Sequence, residues 1–164
     1  METGDETRFD RGDETPERLK GQLSRLVGMT AAQLRRVAGD ALGAVGARKD
    51  HFVVLATLAE FGPASQAALS DRTRIYKSDL VAVLNDLADG GWVRRAPDPV
   101  DRRRNVVTLT DSGERRLAEL DRVLADVNER VMAPLDHDER RQLLALLGRV
   151  NAHLDTPPGR PGRA

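Results

Sequence analysis

The sequence predicts a mainly α-helical chain carrying one small β-hairpin, and three observations predict it. Apolar residues recur at three- and four-residue intervals through most of the chain, the period of helices that bury one face. Between residues 92 and 109 that period gives way: Val107 and Leu109 fall on one face, Val106 and Thr108 on the other, the alternation a strand needs. Glycine pairs, Gly-Pro and capping residues punctuate each change.

In order, residues 1–15 are polar and without apolar periodicity, and predict a disordered acidic segment. Residues 17–42 predict one long helix, with Leu19, Leu23, Leu26, Leu34 and Val37 on its stripe. Gly39, Gly43 and Gly46 then mark a helix end and loop; close approach to another helix is the alternative. A second helix covers 50–61, with Asp50 as N-cap, and Gly62-Pro63 stops it. Ser65 caps a short helix over 66–71, and after a turn a longer helix over 76–89 sets Leu80, Val83, Leu84 and Leu87 on one face. Gly90-Gly91 supplies the left-handed conformation common at a helix C-terminus.

Two short strands follow, 92–95 and 105–109. Their connector holds Pro97 and Pro99, which rules out a tight turn and continuous ladder pairing. Thr110 or Asp111 caps the next helix, Asp111 and Glu114 having capping-box spacing. Leu117, Leu120, Leu124, Val127 and Val131 form its seam. Pro134 ends it, and Asp136 with Glu139 opens a last helix with Leu143, Leu147, Val150 and Leu154 on its inner face. Residues 156–164, rich in Pro, Gly and Arg, predict a flexible tail. Short helix, turn, longer helix and hairpin make a winged helix-turn-helix, whose second helix enters the DNA major groove.

The 164 residues suit one domain. Lys and Arg number 26, as do Asp and Glu, so net charge names no partner. Its distribution does. Residues 72–104 hold eight basic and five acidic side chains, whereas residues 1–17 hold seven acids and two arginines. The absence of cysteine excludes disulfides, thiolate metal sites and cysteine redox sensing. No long apolar run or signal peptide is present, and a cytoplasmic protein without membrane contact is expected.

Several stretches then resemble one known family. They are Gln66-Ala-Ala-Leu69, the helix from Lys77 to Leu87, Gly91-Trp-Val-Arg-Arg-Ala-Pro-Asp-Pro-Val-Asp-Arg-Arg-Arg104 and Leu109-Thr-Asp-Ser-Gly113. Together they look like the DNA-binding core of MarR-type (multiple antibiotic resistance regulator) transcription factors, a resemblance covering residues 18–155. It implies a DNA-binding core over about 50–110 and dimerisation helices over about 17–42 and 111–155. It also implies a homodimer on a pseudo-palindromic operator, usually a repressor released by a small, often aromatic or phenolic, effector. In the wing, Asp101 corresponds to the family's acid that orients an arginine, and Arg103 to the arginine reaching the minor groove, with Arg102 and Arg104 beside it. Arginine suits a narrow minor groove, where negative potential concentrates. At mid-helix this chain departs from the family, with Val81 and Ala82 where many relatives carry Thr and Arg. Readout is therefore assigned to the helix start: Tyr76, Lys77, Ser78 and Asp79, the last as an acceptor for a cytosine amino group. Arg72 and Arg74 in the turn, and Arg94 and Arg95 on the first strand, are candidate phosphate contacts.

His51 and Arg25 are candidate effector contacts, against an ordinary cap-region histidine and a surface arginine. Asp136-His-Asp-Glu139 has metal-ligand residue types, but helix capping accounts for it; neither a metal nor a cofactor is predicted. Trp92 reads as a packing residue beneath the wing rather than a base stacker. Two other classes stand beside the regulator. One is a winged-helix protein–protein module without DNA binding, which Val81 and Ala82 allow. The other is an enzyme, opposed by three scattered histidines and by the lack of a nucleophile elbow or glycine-rich phosphate cradle.

Overall fold

The computed structural model describes residues 15–98 and 105–155, in two compact units that meet between Val127 and Asn128. The expectations for residues 1–14, for the wing tip at 99–104 and for the tail at 156–164 lie outside the described residues. Thr15, within the segment expected to be disordered, is described and buried.

The first expected helix is two: α1 (Glu17–Lys20) and α2 (Leu23–Ala44). Gly21 ends α1 and Gln22 is extended, because glycine at this point has the weakest helix propensity apart from proline. α2 continues through Gly39 and Gly43, where an added Cβ would meet nothing within 4 Å, so among the described residues these glycines mark no close approach. Of the three glycines expected here, Gly46, with φ +67°, is the one that uses glycine's freedom. α3 (Lys49–Phe61) starts one residue before Asp50, with Arg48 rather than Asp50 as its N-cap residue.

β1 (Ala64–Ser65) is a strand the sequence reading lacks, too short for a periodicity to show. Ser65 then caps α4 (Gln66–Thr73), its Oγ accepting from the Ala68 N–H at 3.2 Å. α5 (Lys77–Asp89) ends as a Schellman motif. Gly91 has φ +71°, its N–H donates to the Ala88 carbonyl at 2.9 Å, and the Trp92 N–H reaches back to the Leu87 carbonyl at 2.9 Å.

β2 (Val93–Pro97) and β3 (Asn105–Leu109) pair antiparallel from Val93↔Leu109 to Pro97↔Asn105, and β1 pairs on β3's other side, giving the order β1-β3-β2. Pro97 thus lies inside the ladder, contrary to expectation. β2 is an edge strand and Pro97 its last residue, where a missing N–H costs least. The core gathers Leu55, Leu58, Leu69, Leu84, Leu87 and Val107 from helices and sheet.

α6 (Asp111–Val131) is capped by Thr110 and not by Asp111: the Thr110 Oγ1 accepts from the Gly113 N–H at 3.0 Å and donates to the Gly91 carbonyl at 2.7 Å. A side chain at Gly113 would collide with the Trp92 carbonyl and with Leu109. The Leu-Thr-x-x-Gly sequence is therefore a clamp that fastens the start of α6 to the root of the hairpin. α7 (His137–Leu154) opens with the expected capping box. Asp136 Oδ1 accepts from the N–H groups of Asp138 and Glu139, and Glu139 Oε2 accepts from the Asp136 N–H at 2.9 Å. None of its residues is buried, including Leu143, Leu147, Val150 and Leu154, which were expected on an inner face.

Candidate nucleic-acid interface

The turn between α4 and α5 is held from both sides. Ser70 Oγ donates to the Ile75 carbonyl at 2.8 Å, and Thr73 Oγ1 donates to the Leu69 carbonyl and accepts from the Ile75 N–H. Within this frame Arg74 adopts a left-handed conformation, φ 57° and ψ 20°, that a side chain rarely takes. Its guanidinium is exposed, as are Tyr76 (80 % accessible), Lys77, Ser78 and Asp79 at the start of α5. Arg94 and Arg95 are exposed on β2, opposite Thr108 and Val107 of β3. None of Arg74, Lys77, Arg94 and Arg95 has an ion-pair partner among the described residues. Arg72 instead lies over the Phe61 ring, 4.6 Å from its centroid. Asp101, Arg102, Arg103 and Arg104 fall at the wing tip, outside the described residues.

Asp79 accepts from the Ser78 hydroxyl at 3.3 Å. It borders a cavity of about 420 Å³ with Lys49, Asp50, Val53, Thr73 and Tyr76. Asp86, two turns further along α5, meets α3. The Arg48 guanidinium is hydrogen-bonded to Asp86 Oδ2, and His51 Nε2 lies 3.3 Å from the same oxygen. His51 Nδ1 accepts from the Arg48 backbone N–H at 3.3 Å, so the neutral ring carries its proton on Nε2 and donates to Asp86. His51 is only 6 % exposed. Burial pulls its pKa below the ordinary 6.5, against the opposing hydrogen bond to Asp86 and with help from Arg48. Both ring nitrogens thus have partners within the protein, the cap-region arrangement. Arg25, on α2, stands near the Thr15 hydroxyl at 3.5 Å.

Arg116 on α6 is a residue the sequence reading missed. It donates to the Val45 carbonyl, pairs with Glu119 at 2.7 Å and places its guanidinium 4.7 Å from the centre of the Trp92 ring. Trp92 packs against the core, as expected. One side chain thus joins the α2–α3 linker, α6 and the root of the wing.

A family model described as MarR family matches residues 46–104, the span from the α2–α3 turn to the wing tip. The regulator MT0903.1 of Mycobacterium tuberculosis (strain CDC 1551 / Oshkosh) is 32 % identical over 104 residues, covering 63 % of this chain and 73 % of the relative. The chain belongs to the MarR family. Its fold is the family's winged helix-turn-helix, and the family is one of transcriptional regulators. The HTH-type transcriptional regulator PecS of Dickeya dadantii (strain 3937) is 38 % identical over 109 residues, 63 % of this chain and 64 % of PecS. The chain thus spans a little under two thirds of that relative. Among solved structures, a mutant MarR from E. coli complexed with operator DNA superimposes with a TM-score of 0.66 at 26 % identity, covering 78 % of this chain and 92 % of that one. Among the described residues, no helix is long and apolar enough to cross a membrane.

Proposed function

We propose that this chain is a sequence-specific DNA-binding transcriptional regulator, acting as a homodimeric repressor that a small effector releases. The observation that carries the reading is an exposed basic set without acidic partners among the described residues: Arg74 and Lys77 at the start of α5, and Arg94 and Arg95 on β2. The likeness to a MarR bound to operator DNA supports it. In this reading α5 enters the major groove. Arg103, oriented by Asp101, reaches the minor groove with Arg102 and Arg104 beside it, and Arg72, Arg74, Arg94 and Arg95 contact phosphate.

Exposed leucines support the homodimer: Leu19, Leu23 and Leu26 along α1 and α2, and Leu143, Leu144 and Leu147 on α7, are surface that a second copy would cover. Two subunits would set their recognition helices about 34 Å apart. A molecule that binds a mis-spaced dimer more tightly shifts the population away from DNA. The cavity between α3 and the α4–α5 turn is large enough for a small aromatic acid, and Lys49 and Arg74 line it. Neither Arg25 nor His51 lines this cavity; as effector contacts they are proposed from sequence alone, and both His51 ring nitrogens are engaged by Arg48 and Asp86.

The test is a fluorescence-anisotropy titration against the DNA upstream of the protein's own gene, at two salt concentrations with scrambled competitor. The expected result is saturable, selective binding that weakens steeply with salt. Arg103→Ala should weaken it without changing the melting curve. Unchanged affinity would remove the wing assignment. Salt-insensitive binding to a protein partner, with no selectivity for DNA, would favour the interaction module.

A further inference from the structure

The surface of α5 divides into three strips. Leu80, Val83, Leu84 and Leu87 are buried. A second strip holds Asp79 and Asp86, seven residues apart and so on one side. Asp86 is bonded to Arg48 and His51, while Asp79 borders the cavity beside Lys49 and accepts from the Ser78 hydroxyl at 3.3 Å. The third strip is Ser78, Val81, Ala82 and Asn85, at the i, i+3, i+4 and i+7 spacing of one helix face, and all four are exposed, Val81 at 42 %. Asp89, in the last turn, closes it at the end away from the helix N-terminus.

The strip that faces away from the core is thus uncharged along its first two turns and apolar at its middle. Of the helix's three acids, Asp86 is held against the neighbouring helix and Asp79 lies on the strip beside it. Lys77 and Arg74 flank it, and no acid among the described residues pairs with either. That charge calls for a polyanion. Two side chains as small as valine and alanine bury too little for a protein interface of about 800 Å² per partner. In the major groove, the apolar group a DNA base presents is the thymine C5-methyl, and small apolar side chains are its usual contacts.

We propose that Val81 and Ala82 are specificity-determining residues that read thymine through its C5-methyl group. Asn85, one turn on, presents the amide that pairs with an adenine edge, and Ser78 completes the readout at the helix start. The half-site this face selects is therefore A·T-rich at its centre. On this account Val81 and Ala82 set what is read and leave DNA binding intact. The proposal rests on the reading of this chain as a DNA-binding regulator.

The experiment begins with a random-sequence duplex pool, from which the full-length protein selects its preferred DNA. Each thymine of the selected duplex is then replaced singly by deoxyuridine, which lacks only the methyl group. Affinities are measured for the wild type, Val81→Ser and Ala82→Ser, with circular dichroism as the folding control; all three should fold alike, since both positions are exposed. In each half-site one or two uracil replacements should weaken the wild type roughly fourfold, the worth of one buried methyl. The same replacements should leave Val81→Ser or Ala82→Ser unchanged. A selected site without any uracil-sensitive thymine overturns the inference, and so does a uracil penalty of equal size in the wild type and both variants. A pool from which nothing is selected overturns the DNA-binding reading itself, a separate outcome.

Discussion

Helices α5 and α7 treat their apolar residues in opposite ways. In 13 residues α5 buries Leu80, Val83, Leu84 and Leu87. In 18 residues α7 buries none, and leaves Leu143, Leu144, Leu146, Leu147, Val150 and Leu154 open, Leu144 at 61 % and Leu154 at 73 %. The spacing on both helices is that of an amphipathic element, so the difference lies in the partner and not in the pattern. α5 finds its counterpart within the chain, in α3, α4 and β2. The helix-turn-helix is thus self-sufficient, whereas the apolar residues of α7 stay exposed.

The largest effect should come from the self-sufficient side. Leu84→Ala removes a fully buried side chain and should cost about 2–5 kcal/mol in a urea melt, the usual range for a leucine cavity. A cost below about 1 kcal/mol would mean that this core is looser than its burial indicates. Leu147→Glu should behave in the opposite manner. Changing an exposed leucine in an isolated chain is nearly neutral, about ±0.5 kcal/mol. If a second copy covers α7, the carboxylate would convert the dimer to a monomer in sedimentation equilibrium and abolish operator binding. A variant that stays dimeric would place the subunit interface elsewhere.

A third change separates surface left open for DNA from surface left open for protein. Arg74→Gly removes both a left-handed arginine and a candidate phosphate contact. Glycine adopts that backbone without the steric cost, so the melting temperature should hold or rise slightly. Operator affinity should nevertheless fall by up to about tenfold, and the slope of log affinity against log salt should flatten by about one. Arg74→Lys should keep most of both. Equal affinity for Arg74→Gly and the wild type would show that the turn stands clear of the phosphates.

These contrasts also mark what was legible in the sequence. Leu80, Val83, Leu84 and Leu87 announce the buried face of α5 by period alone, and Gly90-Gly91 announces its end. Both depend on neighbours within a few residues. The same period on α7 was read as an inner face, since a repeat tells which side is apolar and not what covers it. β1 was missed because two residues carry no alternation. Arg48, Asp86 and Arg116 were missed because their partners are remote: Arg48 meets Asp86 across 38 positions, and Arg116 meets the Val45 carbonyl across 71. No local pattern encodes such pairings. His51 was noticed as a histidine near a helix start, and its role depends on Asp86, which arrives only with the fold.

The smallest effect, and the most specific, concerns that histidine. The self-sufficient region contains one buried ionisable ring among its described residues, and its protonation should register in stability before it registers in DNA binding. Burial lowers the folded pKa of His51 below 6.5, so the unfolded chain binds a proton more readily than the folded one. The stability His51 allows is therefore fully present above about pH 6.5, and it is lost as the pH falls from there through the depressed folded value. Charging the ring also places a cation beside Arg48 and Arg116, and the Asp86 carboxylate offsets part of that cost. His51→Gln retains an acceptor for the Arg48 N–H but cannot charge. Its stability should be somewhat lower than wild type at pH 7.5, and the gap should narrow steadily between pH 6.5 and 5. Subtracting the two pH profiles cancels the carboxylates common to both proteins, along with the exposed His137 and His153. A gap that stays constant across that range would mean that the ring accepts its proton in the folded protein as easily as in water. In that case the Asp86 contact, and not burial, would govern the junction of α3 with α5.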